Sequence, residues 1–322
     1  MPQLPLFDDY ERPPLAARLA PKLHALAERG VYLGTSSWKY EGWLGSIYEE
    51  ARYKVRGKFS QRAFESECLT EYAETFPIVG GDFSFYQFPS AAYWEKLFNA
   101  GPSELLFGLK VPEEVTVATW PGHARSGKRA GQANASFLDP GLFEAAFARP
   151  LGPYRERLAV LMFEFGTFPK KTFPNVSAFL ERLDPFLSAL PSGFRYGVEV
   201  RNPEYLGRDY FQTLKAHGAA HVFNAWTRMP EIDDQLEMEG SETAAFFVAR
   251  ALLRRGRTYE QAVGMFEPYR ETQEPLPRAR EGLLALVERA RKRKKPAFLF
   301  INNRLEGFAP GTIEAVADAL GA

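Results

Sequence analysis

The sequence predicts an α/β protein in which eight parallel strands close into a (β/α)8 barrel, with a helix ahead of the first strand and long insertions in the βα loops. Three observations lead there. Eight short runs rich in β-branched and aromatic residues recur, at 31–36, 78–85, 105–110, 158–164, 195–201, 219–224, 244–250 and 296–302. Amphipathic helical patterns separate them, and this alternation implies parallel strands with helical crossovers. The turn after the first run reads GTSSWKYEGW and not GxGxxG, so it lacks the phosphate turn expected of an open doubly wound sheet. Eight such units within 322 residues leave room for insertions.

Residues 1–14, MPQLPLFDDYERPP, read as a flexible tail, and 15–322 as a single barrel domain. The tail holds acids and prolines, not a basic segment followed by an apolar one, so no signal peptide is expected. Residues 15–29 read as a helix capping the bottom of the barrel. Helical patterns follow at 62–75, 91–99, 176–190, 210–217 and 279–293. One insertion, 112–140, follows the third run and carries Arg125, Lys128 and Arg129; the other, 251–277, follows the seventh. Both lie on the face where barrels build their sites. The basic run RKRKK at 291–295 closes a helix, where the dipole favours cations, and reads as structural.

Forty basic residues balance forty acidic ones, so no net field draws the chain to nucleic acid or anionic membrane. Attraction for an anion must be local. The single Cys68 excludes an internal disulfide framework and cysteine-cluster metal sites. Four scattered histidines do not suggest a histidine-rich metal centre. No stretch of about 18 uncharged apolar residues occurs, which predicts no membrane span and a cytoplasmic protein.

Polar residues at strand ends decide the chemistry of a barrel. The two-residue period turns Glu199 and Arg201 to the side of Gly197, leaving Tyr196, Val198 and Val200 for the helices. The same phase groups Glu164 with Val160 and Met162, and Lys110 with Gly108. Strands about 4.8 Å apart would make Lys110, Glu164 and Glu199 one row. Two neighbouring carboxylates raise one pKa, partly offset by the lysine, and could supply a general acid and a general base. The alternative is a buried ion-pair network. Around the row the reading places Asp82, Asn224, Arg250, Asn302, Asn303 and Arg304, with Glu306 close by, all suited to phosphate, carboxylate or hydroxyl groups. Trp38, Tyr40, Trp43, Tyr86 and Trp226 add aromatic faces suited to sugars or bases. A retaining glycosidase needs carboxyls about 5 Å apart, but the seventh strand, where barrel glycosidases place the second one, offers Arg250.

GTSSWKYEGW, FSFYQFPS, VEVRNPEY and INNRLEGFAP occur in an order that resembles the YecE-like family, domain of unknown function 72, from about residue 31 to the end. The resemblance implies a TIM-type barrel and no agreed activity, and it supports Trp38, Tyr86, Lys110, Glu199, Arg201, Asn302 and Asn303 as pocket residues. Departures occur where Val79-Gly80-Gly81-Asp82 replaces the family's Val-Glu-Val-Asn, Glu164 a usual glutamine, and Asn224 a usual aspartate.

The expected function is an enzyme binding a small polar or anionic substrate, a sugar or phosphate ester, with acid–base chemistry from Glu164 and Glu199 beside Lys110. No cofactor is evident, although a carboxylate-bound divalent metal stays open. A second reading is a DNA-processing protein, since Gln3, Leu4, Leu6 and Phe7 resemble the short motif that docks repair proteins on the DNA sliding clamp. A third is a barrel that binds a metabolite without turning it over.

Overall fold

The computed structural model describes residues 13–122 and 124–322. The clamp-like segment Gln3–Phe7 lies outside the described residues, as does the side chain of Arg125. The strands are β1 (Val31–Thr35), β2 (Ile78–Gly81), β3 (Leu106–Lys110), β4 (Leu158–Glu164), β5 (Tyr196–Glu199), β6 (Ala220–Ala225), β7 (Phe247–Ala251) and β8 (Ala297–Ile301). Each pairs in parallel with its neighbour in the chain, and β8 pairs with β1 from Val31↔Ala297 to Thr35↔Ile301, closing the barrel. A short antiparallel hairpin, Lys54–Val55 with Lys58–Phe59, sits in the loop after β1. Among the described residues no helix is long and apolar enough to cross a membrane.

Alternation along each strand sorts side chains into two layers. Outward residues such as Leu33, Phe107, Leu109, Phe163 and Leu299 join the core beneath the helices. Inward residues, among them Ile78, Val160, Met162, Val222, Val248, Phe298 and Phe300, fill the barrel. Gly108 and Gly197 face the same interior. A Cβ on Gly108 would overlap the Phe300 ring, and one on Gly197 would stand 2.9 Å from Val222 Cγ2. Gly108→Ala is therefore expected to cost about 1–3 kcal/mol by overpacking. Urea unfolding of the purified variant checks this, and unchanged stability would mean the ring moves freely.

Two local expectations are corrected. The second run was expected to be strand to residue 85, but the strand stops at Gly81 and Asp82–Phe85 forms a 3₁₀ turn. The Ser84 hydroxyl reaches the carbonyls of Gly81 at 3.0 Å and Lys110 at 2.6 Å, folding the turn onto the end of β3. The helix expected beneath the barrel, Pro14–Glu28, instead runs along its outer wall. Leu15, Leu19, Leu23 and Leu26 form one buried stripe that needs a flat partner, and β1 with the last helix, Ala309–Ala319, provides it. The Ala16 amide donates to the Ser46 carbonyl at 3.1 Å, and Arg18 pairs with Glu314 at 2.9 Å.

The basic run keeps its structural role. Helix Pro277–Arg293 ends at Lys294, whose φ of 55° turns the chain. Arg293 pairs with Glu242 at 3.1 Å, and Lys295 Nζ donates to the Ala244 carbonyl at 2.7 Å.

Candidate functional site

Extending the inward phase past the last apolar layer brings one polar residue per strand to the carboxyl-terminal mouth: Ser36, Asp82, Lys110, Glu164, Glu199, Asn224, Arg250 and Asn302. Register links neighbours directly, Glu164 with Glu199 and Asn224 with Arg250. Arg201, two residues beyond Glu199, shares its side.

Arg250 is the hub. It reaches across the barrel so that its Nη1 donates to Glu164 and, at 2.5 Å, to Glu199 Oε2, while Nη2 donates to Asp82 Oδ1 at 3.1 Å. Lys110 Nζ lies 2.9 Å from Glu164 Oε2 and 3.8 Å from Asp82 Oδ1. Arg201 contacts Glu164 at 3.0 Å and Glu199 at 3.2 Å. Three carboxylates thus face three cations, and the cluster is neutral. Aromatic faces hold two of the cations from outside: Lys110 Nζ is 3.9 Å from the Phe85 ring centroid, and the Arg201 guanidinium 3.8 Å from that of Trp226.

The Glu164 pKa is not pushed upward by its neighbouring carboxylate. Burial alone would raise it, but Arg201, Lys110 and Arg250 outweigh burial and hold the carboxyl well below the usual range. The three cations favour its ionised form. Burial likewise disfavours the Arg250 cation, yet Glu199, Glu164 and Asp82 raise its pKa above the ordinary arginine value. Glu199 is fully buried, whereas Asp82 keeps 32% of its side chain exposed and is the carboxylate most open to the mouth.

Among the described residues, two polar atoms of the ring have no hydrogen-bond partner. Asn224, itself fully buried, donates through Nδ2 to the carbonyls of Val200 at 3.2 Å and Val222 at 3.3 Å. Carbonyls accept only from the amino group, so Oδ1 is the atom left unpartnered. The Ser36 hydroxyl is buried and unpartnered as well. Ser36 escaped the sequence reading, although its phase with Gly34 could have marked it.

Other residues named from the sequence lie around the ring. Tyr40 packs on Trp43 and Tyr269 at 4.8 and 5.7 Å, and burial pushes its hydroxyl up to about 12 against the pull of Arg304. Tyr86 is exposed at the rim, its ring 5.3 Å from Phe85. Asn302 Oδ1 accepts the Arg304 amide at 3.0 Å. Arg304 lies over the Tyr259 ring at 4.5 Å. Trp38 packs edge-on to Phe83 at 5.9 Å and borders a cavity of about 140 Å³ shared with Leu69 and Tyr93. Asn303 accepts the Ala309 amide at 2.8 Å and fixes the start of the last helix. Glu306 is a buried tie, bonded to Arg280 at 2.9 Å and to the Leu276 amide at 2.5 Å. In the β3 insertion, Arg129 stacks on Trp120 at 3.8 Å and pairs with Glu114 at 2.9 Å.

Among the described residues no group of three or more His, Cys, Asp and Glu is arranged to hold a metal ion. Asp82, Glu164 and Glu199 turn their oxygens onto the Arg250 guanidinium.

A closed parallel barrel with a polar ring at its carboxyl-terminal mouth defines a TIM-type protein with the usual barrel location for a site. The chain belongs to the DUF72 family, described as protein of unknown function, whose model matches residues 32–322. A crystal structure of a DUF72 family protein from Thermotoga maritima superposes with a TM-score of 0.61 at 21% identity, covering 91% of this chain and 99% of that one. Another, from Enterococcus faecalis, gives 0.56 at 17% identity, covering 79% and 93%. Among curated proteins none matches. The structural likenesses extend the fold and carry no activity with them.

Proposed function

We propose that the protein is an enzyme acting by proton transfer on a small, oxygen-rich substrate, a sugar or its phosphate ester, bound over the polar ring. The observation that supports this most is the pair of buried, unpartnered inward groups, Asn224 Oδ1 and Ser36 Oγ. A buried polar atom left unsatisfied costs about 1–3 kcal/mol, and a hydroxylated ligand offers both a donor for the amide oxygen and an acceptor for the serine. The neutral cluster suits a polar ligand, with Lys110 and Arg201 the cations available to a phosphate or carboxylate.

Roles within the ring differ from a simple carboxylate pair. Glu164 is held ionised by three cations and serves best as the counter-ion that positions Lys110 and Arg201. Glu199 shares that task from a fully buried position. Asp82 is the accessible carboxylate and the candidate to take or give the proton.

The test has two readouts. Glucose, glucose 6-phosphate and inorganic phosphate are screened for a rise in melting temperature, and each stabilising sugar is followed by NMR for conversion. Asp82→Asn should lose turnover at least about 100-fold while keeping the ligand-induced thermal shift. Full turnover in the variant would remove Asp82 from the role, and no thermal shift with any of the three compounds would argue against the substrate class.

A further inference from the structure

Beside the ring, over the ends of β6, β7 and β8, lies a cavity of about 300 Å³. Its floor is apolar, formed by Ala225, Leu253 and Leu305, and Trp226 forms a wall. Its rim carries charges of both signs. Arg254 is matched by Glu274, and Arg278 by Asp233 and Asp234 at 3.0 Å for the second. Glu231 and Arg255 line the same cavity and make no ion pair among the described residues. They are close enough to influence one another: burial raises the Glu231 pKa, and Arg278 and Arg255 pull it back.

An apolar floor beneath one uncommitted anion and one uncommitted cation is complementary to a molecule with three parts. It needs an ammonium for Glu231, a carboxylate for Arg255, and a hydrocarbon or aromatic group for the floor. Buried apolar contact supplies affinity, and the two charges fix orientation. The volume sits at the lower end of small-molecule sites, about 300–1,000 Å³, which suits a single amino acid and not a peptide.

We infer that this cavity binds a free α-amino acid with an apolar or aromatic side chain, its ammonium on Glu231 and its carboxylate on Arg255. The site is separate from the proton-transfer ring and does not depend on what the ring does. It borders the ring at Trp226, whose indole also carries Arg201.

Calorimetric titration of the full chain with L-phenylalanine tests the inference, with 3-phenylpropionate, 2-phenylethylamine and glycine as the three compounds that each lack one part. L-Phenylalanine should bind with a Kd of about 1 mM or tighter, and each truncated compound at least about 10-fold more weakly. Glu231→Gln should weaken L-phenylalanine but leave phenylpropionate unchanged. Arg255→Gln should weaken L-phenylalanine but leave phenylethylamine unchanged. Both side chains stand at the rim, so their replacement spares the core. No heat with L-phenylalanine at about 10 mM, or equal affinity for phenylalanine and phenylpropionate, overturns the assignment. So does a variant pattern in which both substitutions weaken all compounds alike. Ring variants such as Asp82→Asn should not alter this binding, so failure here leaves the ring's proposed chemistry untouched.

Discussion

Arg250→Met should lower the unfolding free energy by about 3–5 kcal/mol, the usual cost of removing one member of a buried ion network. The guanidinium is nearly fully buried and answers carboxylates from three other strands, β4, β5 and the end of β2. Without it, Glu199 keeps, among the described residues, only the Arg201 pairing at 3.2 Å while remaining out of water. The methionine fills much of the same space, so the loss measures charge left unanswered more than a hole. Adding Glu199→Gln to the variant should return more than about 1 kcal/mol, because paired members of a network are not additive. Urea unfolding of the four proteins in this cycle checks both statements. Strict additivity would show that Arg250 and Glu199 act independently.

Acid sensitivity offers the second large effect. His221 faces outward from β6 and is buried among Tyr210, Phe211 and Phe223. Burial lowers its pKa to about 4, with the Gln235 hydrogen bond opposing the shift. Between about pH 6.5 and pH 4 the unfolded chain therefore takes up a proton that the folded chain refuses. Stability must fall with pH across that window, by about 3 kcal/mol at 1.36 kcal/mol per pH unit. His221→Phe removes this loss without stranding its neighbours. Gln235 Oε1 still accepts the Asn224 amide at 3.4 Å, and the Tyr210 hydroxyl still donates to Val198 at 3.2 Å. Unfolding free energies at several pH values should show the variant gaining on the parent by that amount as acid is added. Parallel curves would refute the assignment.

Much of the barrel was legible because a two-residue period and a helical period cannot be confused over eight repeats. The run at 158–164 matches β4 residue for residue, and the phase of Glu164 follows from it. The limits are equally physical. Strand ends lose periodicity, so nothing in IVGGDFSF alone marks Gly81 as the last paired residue; the Ser84 hydroxyl decides it by reaching the carbonyl of Lys110 on the next strand. Arg250 read as one more substrate contact because a sequence does not reveal how far a long side chain reaches across a closed barrel. Asn303 and Glu306 read as site residues although their partners, Ala309, Arg280 and Leu276, make them fasteners of the last two helices. The helix Pro14–Glu28 was misplaced because an apolar stripe says that a surface is covered, not which one.

Gly108 gives the mouth an adjustable depth. Beneath the charged layer the space that Gly108 leaves is stoppered by a single phenyl ring, that of Phe300. Trimming that ring would open a dry hydrocarbon cellar below the ion cluster without disturbing any of its charges. A lineage wishing to admit a bulkier guest could therefore remodel the basement and keep the gatehouse.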